Sequence, residues 1–196
     1  AIFNAIFLVF GGLYVASRWL ELGLFGFGIV AGVAAILVAT YPGIILQSSS
    51  SIPFWNNAVL PILFLAHGIV GANGILSVIL FFLPFSLTVL KLITWWELVI
   101  LVFTAVLLFI HLFTAHSSRL EAKMSLNALL KGEYSAYFKS FIILGLVLPL
   151  LIGTYSYFFM NVILAALAGL LALIGVLLLR FVILAVGIYV EVRPYP

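Results

Sequence analysis

Only a few side chains in this 196-residue sequence are equipped for chemistry. The acids are all glutamates (Glu21, Glu97, Glu121, Glu133 and Glu191), the histidines are His67, His111 and His116, and there is no cysteine. Without thiolates the chain alone builds no disulfide, iron–sulfur cluster or thiolate metal site. Four ionisable groups fall in or at the edge of long apolar runs: His67, Glu97, His111 and Arg180. Such groups are costly in a membrane and are functional candidates by default. A carboxyl group suits proton handling, an imidazole suits hydrogen bonding or haem ligation, and a guanidinium at membrane depth should face the bundle interior or water and needs a partner.

Each candidate has an ordinary structural alternative. Arg180 lies some ten residues before the end of the last apolar run, roughly 15 Å deep at 1.5 Å per residue, and a long side chain there can also snorkel. Glu97 opens a run at Trp95-Trp96-Glu97, where a helix N-terminus favours negative charge in any case. His67 and His111 sit on antiparallel segments and so could ligate a b-type haem. Hydrogen bonding within a bundle, or to a quinone carbonyl, is the stronger reading of both. His111 and His116 are about 140° apart on a helix and cannot clamp one metal together. Tyr41, in Thr40-Tyr41-Pro42-Gly43, reads as an interfacial tyrosine or as a donor to a quinone carbonyl.

The elements that position these groups follow from composition. The chain is 67% hydrophobic and 7% charged, with a mean hydropathy of +1.44, against roughly 25% charged residues in soluble domains. That excludes a soluble enzyme and a nucleic-acid binder, and places the chain in a bilayer. Six apolar segments, near 1–16, 20–47, 57–83, 95–116, 138–155 and 161–190, approach or exceed the span length of about 20 residues. They are too long and too uniformly apolar for barrel strands. We expect an all-α polytopic bundle of six spans forming a single domain, 1–196. No basic region precedes the first apolar run, which argues against a signal peptide, and the missing initiator Met suggests further N-terminal sequence. Gly28 and Gly32 form a GxxxG, and Gly68, Gly71 and Gly74 cluster in the third segment, as close helix packing in lipid requires.

Six spans put Arg18 and Lys91 on one side of the membrane and Arg119, Lys123, Lys131, Lys139 and Arg193 on the other. The pI near 9.3 therefore reads as topology, with the five-residue side cytoplasmic. The only long polar stretch, 117–139, reads as an interfacial amphipathic loop. Ser118 would cap a short helix there, with Leu120, Met124 and Leu130 on its apolar side and Gly132 as its stop.

Several motifs then occur in order. Tyr41-Pro-Gly-Ile-Ile-Leu is followed by Ile52-Pro53-Phe54-Trp55-Asn56-Asn57, Leu60-Pro61-Ile62-Leu63-Phe64-Leu65 and Trp96-Glu97-Leu98. Next come Ala122-Lys123, Leu130-x-Gly132-Glu133-Tyr134, Phe138, Gly145-Leu-Val-Leu-Pro149 and Leu179-Arg180. Over about 150 residues this order resembles the NrfD/polysulfide reductase (PsrC-like) membrane-subunit family. The resemblance implies an eight-helix core, of which these six helices match the last six, with the first two supplied by missing sequence or by another subunit.

The resemblance further implies a quinone-handling anchor, itself non-catalytic or quinol-oxidising, in a respiratory oxidoreductase of a prokaryotic cytoplasmic membrane. Its quinone would be of the menaquinone type, and its partners an iron–sulfur ferredoxin-like subunit and a molybdopterin catalytic subunit. No haem and no cluster in this chain are expected. Carried over by position, Tyr41 becomes a quinone contact, and His67 and Asn73 fall in the matched third helix as further quinone-binding candidates. Glu97, Arg180 and His111 become candidates for a proton pathway. The iron–sulfur partner is expected on the side of loop 117–139. A b-type cytochrome anchor using His67 and His111, and a transporter or structural subunit, are the alternative readings.

Overall fold

In hydrocarbon every backbone N–H and C=O must find its partner within the segment, so long apolar runs become helices. The computed structural model describes residues 2–83 and 86–189, and among these it contains helices and no strand. Spanning helices are α1 (Ile2–Trp19), α2 (Phe25–Gln47), α3 (Val59–Phe82) and α4 (Leu87–His116). After the short α5 (Leu120–Leu130), a fifth span combines α6 (Ser135–Ser140), a π-helical segment (Phe141–Val147) and α7 (Leu148–Phe159). The sixth is α8 (Val162–Ala185). Six helices are thus long and apolar enough to cross a membrane. Arg193, Glu191 and the expected end of the last span at 190 lie outside the described residues.

Several boundaries differ from the sequence expectation, and two of the differences matter for the site. Helix α2 begins at Phe25 and not near 20, because Glu21 and Gly23 both adopt left-handed backbone (φ 56° and 63°) that breaks the chain between α1 and α2. Helix α4 begins at Leu87, where the Ser86 hydroxyl accepts the Val89 N–H at 3.3 Å. Lys91, which argues for a loop by charge alone, therefore lies inside the helix. Glu97 is consequently not at a helix start but in its eleventh position, only 2% exposed. Helix α8 ends at Ala185, so Arg180 lies five residues from its end, about 8 Å and not 15 Å in.

The spans alternate in direction. We call the end carrying residues 48–58 and 117–134 the loop end, and the other the hairpin end. Helices α3, α4, α7 and α8 make the packed bundle, α2 leans on α3, and α1 packs almost wholly on α2.

Backbones meet where glycines pair. A Cβ on Gly74 would lie 2.6 Å from the Gly169 carbonyl oxygen, and one on Gly145 would overlap the Gly175 Cα. Gly43 does the same against Pro61, joining α2 to α3. Lipid supplies no hydrophobic drive between helices, so these approaches provide the dispersion contact. The GxxxG of α2 is different: Gly28 accepts the Tyr14 ring, while Gly32 has nothing within 4 Å and lines an open cleft between α1 and α2.

At the loop end, Ile52 and Phe54 are buried in the main core. The Trp55 indole N–H donates to the Ile183 carbonyl at 2.8 Å, tying this loop to the last turn of α8. The short helix α5 corrects the expectation for loop 117–139. Its N-cap residue is Arg119, because Ser118 still bonds back to Ala115 at the end of α4. Its buried face is Ala122, Ser125, Leu126 and Leu129, while Leu120, Met124 and Leu130 are exposed.

Candidate functional site

The buried polar side chains fall into two groups at different depths. The first lies towards the loop end. His67 on α3 is 3% exposed, and His111 on α4 is fully buried. Each packs against an aromatic ring. Phe54 meets the His111 ring edge-on at 4.9 Å, and Phe141 lies 6.0 Å from the His67 ring. The Arg180 guanidinium carbon sits 5.5 Å from the centre of the Phe64 ring, a cation–π geometry. Both His111 nitrogens and Arg180 Nε are buried and make no hydrogen bond. Phe141 opens the π-helical segment, and such irregular turns accumulate at functional sites.

The second group centres on Glu97. The Ser77 hydroxyl of α3 donates to Glu97 Oε2 at 3.2 Å, while Oε1 is buried without a partner. The hydroxyls of Thr94 and Thr104, each on a residue 1% exposed, are also unpartnered. Positions 90, 94, 97, 101, 104, 108, 111 and 115 of α4 are all buried, and alternating steps of three and four align them on one helix face. Thr94, Glu97, Thr104 and His111 therefore form a polar stripe along the inside of α4, joining the level of Glu97 to the histidine group. Orphaned buried polar atoms are rare in native proteins and are ordinarily met by water or a ligand.

The two groups are well separated along the bundle. Ser77 packs on Gly169 of α8, whose added Cβ would lie 2.9 Å from the Ser77 Cβ. Gly169 precedes Arg180 by eleven residues, so Glu97 and Arg180 differ in depth by about 16 Å. They do not form a direct pair.

Tyr41 and Asn73 stand apart from both groups. Helix α2 runs through Pro42 to Gln47, so Tyr41 is inside a helix and not at its end. Its ring is 46% exposed on the outer, α1-facing side, edge-on to Phe3 at 6.3 Å. Asn73 is half-buried on α3, six residues beyond His67 and so about 9 Å along the axis and about 120° around it. His67, His111 and Arg180 lie towards the same end of the bundle, each against a different aromatic ring, whereas Tyr41 reaches only the same level from outside. Ser77, Thr94 and Thr104 were not singled out from the sequence, although the spacing of 94, 97, 104 and 111 carries the signal.

The family model described as Polysulphide reductase, NrfD matches residues 4–192, nearly the whole chain. The chain belongs to the NrfD family. Among curated proteins, no match to it is found. Membership fits the six apolar helices and makes this an integral membrane subunit of a kind suited to a respiratory oxidoreductase complex. In this NrfD chain the family-like motifs have structural duties. Ile52-Pro53-Phe54-Trp55 buries two apolar side chains and ties the loop to α8 through Trp55, and Leu60-Pro61 receives Gly43 of α2. Trp96-Glu97-Leu98 sets the carboxyl against Ser77 and puts Leu98 against Gly153 of α7.

Proposed function

We propose that this NrfD-family chain is the quinone-handling anchor of a respiratory oxidoreductase complex in a prokaryotic cytoplasmic membrane. The observation that carries the reading is the convergence of His67, His111 and Arg180 among Phe54, Phe64 and Phe141 at one end of the bundle, with unpartnered nitrogens on His111 and Arg180. A quinone headgroup is a flat apolar ring with two carbonyl acceptors. Aromatic walls with a few hydrogen-bond donors match that chemistry. The expected substrate is of the menaquinone type, with Tyr41 on the outer side of α2 and Asn73 deeper on α3 meeting it along its way in and not at the headgroup among the histidines.

Oxidation of a quinol releases two electrons and two protons. This chain has no cysteine to hold a redox centre of its own. The electrons would pass to an iron–sulfur ferredoxin-like subunit docked on the loop end and from there to a molybdopterin catalytic subunit. The protons would travel among His111, Arg180 and Glu97. The polar stripe of α4 supports that path, because Thr104 stands midway between Glu97 and His111 with a free hydroxyl. Each gap of seven residues is about 10 Å, too long for a direct proton hop, so internal water would complete the chain.

The test is quinol oxidation by the purified complex with Tyr41→Phe and His67→Leu. Both variants should assemble, Tyr41→Phe should oxidise quinol at least tenfold more slowly, and His67→Leu should raise KM for quinol. Unchanged kinetics in Tyr41→Phe would remove that residue from the site. Unchanged kinetics in both would move quinone binding away from this end of the bundle.

A further inference from the structure

A cleft of about 390 Å³ opens on the outer surface between the first turns of α4 and the end of α7, lined by Leu87, Thr88, Lys91, Trp95, Tyr157 and Met160 among others. Its size falls within the range of small-molecule sites of roughly 300–1,000 Å³. Lys91 Nζ lies 5.2 Å from the centre of the Tyr157 ring, and Trp95 packs against the same ring at 5.8 Å. Residues 87, 88, 91 and 95 recur at helical spacing on the face of α4 that turns away from its buried stripe. Met160, in left-handed backbone (φ 53°), ends α7 beside the cleft.

We infer that this cleft binds the headgroup of an anionic phospholipid. Its polar groups include a lysine ammonium and a threonine hydroxyl, which are donors to a phosphate oxygen, and they sit at the end of spanning helices where headgroups lie. Tyr157 and Trp95 are side chains of the interfacial belt. The remaining wall, formed by Leu87, Leu92 and Met160, is apolar and faces an acyl chain better than water. A free phosphate would satisfy Lys91 and Thr88 and leave that wall unmatched. The clefts on the two sides of α1 and α2, of about 720 and 280 Å³, are lined without any charged side chain. They suit acyl chains only. The cleft of about 290 Å³ at the loop end has Arg119 but is lined otherwise by Ser50, Pro53, Asn56 and Ser118, with no apolar wall for an acyl chain.

The inference is independent of quinone binding, and its test reads lipid alone. The protein, purified from its membranes in mild detergent, is titrated with brominated phosphatidylglycerol or brominated phosphatidylcholine. Quenching of Trp95 is isolated as the difference between wild type and Trp95→Phe. Phosphatidylglycerol should quench at lower concentration than phosphatidylcholine. One basic residue is worth about a fivefold preference, which Lys91→Gln should abolish while leaving thermal unfolding unchanged. Equal quenching by both lipids in wild type, or an intact preference in Lys91→Gln, overturns the inference. Displacement of phosphatidylglycerol by millimolar inorganic phosphate would also overturn it, as the mark of a free-anion site.

Discussion

Ser77 and Glu97 are joined across the α3–α4 interface by a hydroxyl-to-carboxyl hydrogen bond of 3.2 Å, at a point where both residues are at most 2% exposed. It is the single side-chain link among the described residues that holds Glu97, and it uses one of the two carboxyl oxygens. The other, Oε1, is buried without a partner.

Ser77→Ala should remove the only fixed partner of Glu97. Leaving a buried polar group unsatisfied costs about 1–3 kcal/mol, so thermal unfolding of the detergent-solubilised protein should move down by several degrees. Combining it with Glu97→Leu, which removes the acceptor, tests the link, since a double-mutant cycle should give a coupling of about 0.5–3 kcal/mol. Strict additivity would mean that the two side chains do not interact.

Thr104→Val keeps the shape of the side chain and deletes the hydroxyl. The hydroxyl has no protein partner, so stability should be nearly unchanged or slightly raised. Quinol oxidation with an artificial electron acceptor should persist with one proton still released per electron, while the share of those protons that appears on the hairpin side of proteoliposomes should fall severalfold. An unaltered share would take the α4 stripe out of the path.

Gly145→Ala should be far more damaging than Gly32→Ala. The first adds a methyl against the Gly175 backbone, whereas the second adds one to open space. Overpacking costs about 1–3 kcal/mol, while an alanine for an unhindered helical glycine gains up to about 1 kcal/mol of propensity. Paired thermal melts of the two variants should shift in opposite directions.

Trp55→Phe should lose the bond to the Ile183 carbonyl and loosen loop 48–58 from α8. The net loss should be about 0.5–1.5 kcal/mol. Limited proteolysis should show faster cutting within 48–58. Gly187→Ala should mimic it, because a Cβ there would lie 2.5 Å from the Trp55 ring.

The six spans and their apolar character were legible because span length is a property of local sequence. What surrounds each span was not. Lys91 disguised the first two turns of α4, and that one misplaced start made buried Glu97 look interfacial. The polar stripe of α4 was present in the spacing of Thr94, Glu97, Thr104 and His111. However, a helix with leucine and phenylalanine on every side gives no amphipathic contrast to reveal its inner face. For α5 the error was in phase: Leu120 and Met124 look like the buried side, yet Ala122 and Ser125 are small enough to sit against the bundle. The crossing of Gly145 with Gly175 joins distant segments through backbone alone, and no local pattern encodes it.

The depth difference between Glu97 and Arg180 has an electrical meaning. About 16 Å is roughly half of the low-dielectric layer, so a charge carried between their levels crosses roughly half of the transmembrane voltage. Moving one elementary charge through the full voltage involves about 2.3 kcal/mol per 100 mV, and half of that is about 1.2 kcal/mol. On the proposed path, 100 mV would thus bias the distribution of a proton between the two levels about sevenfold, so the energised state of the membrane would weigh directly on which end of the bundle holds the charge.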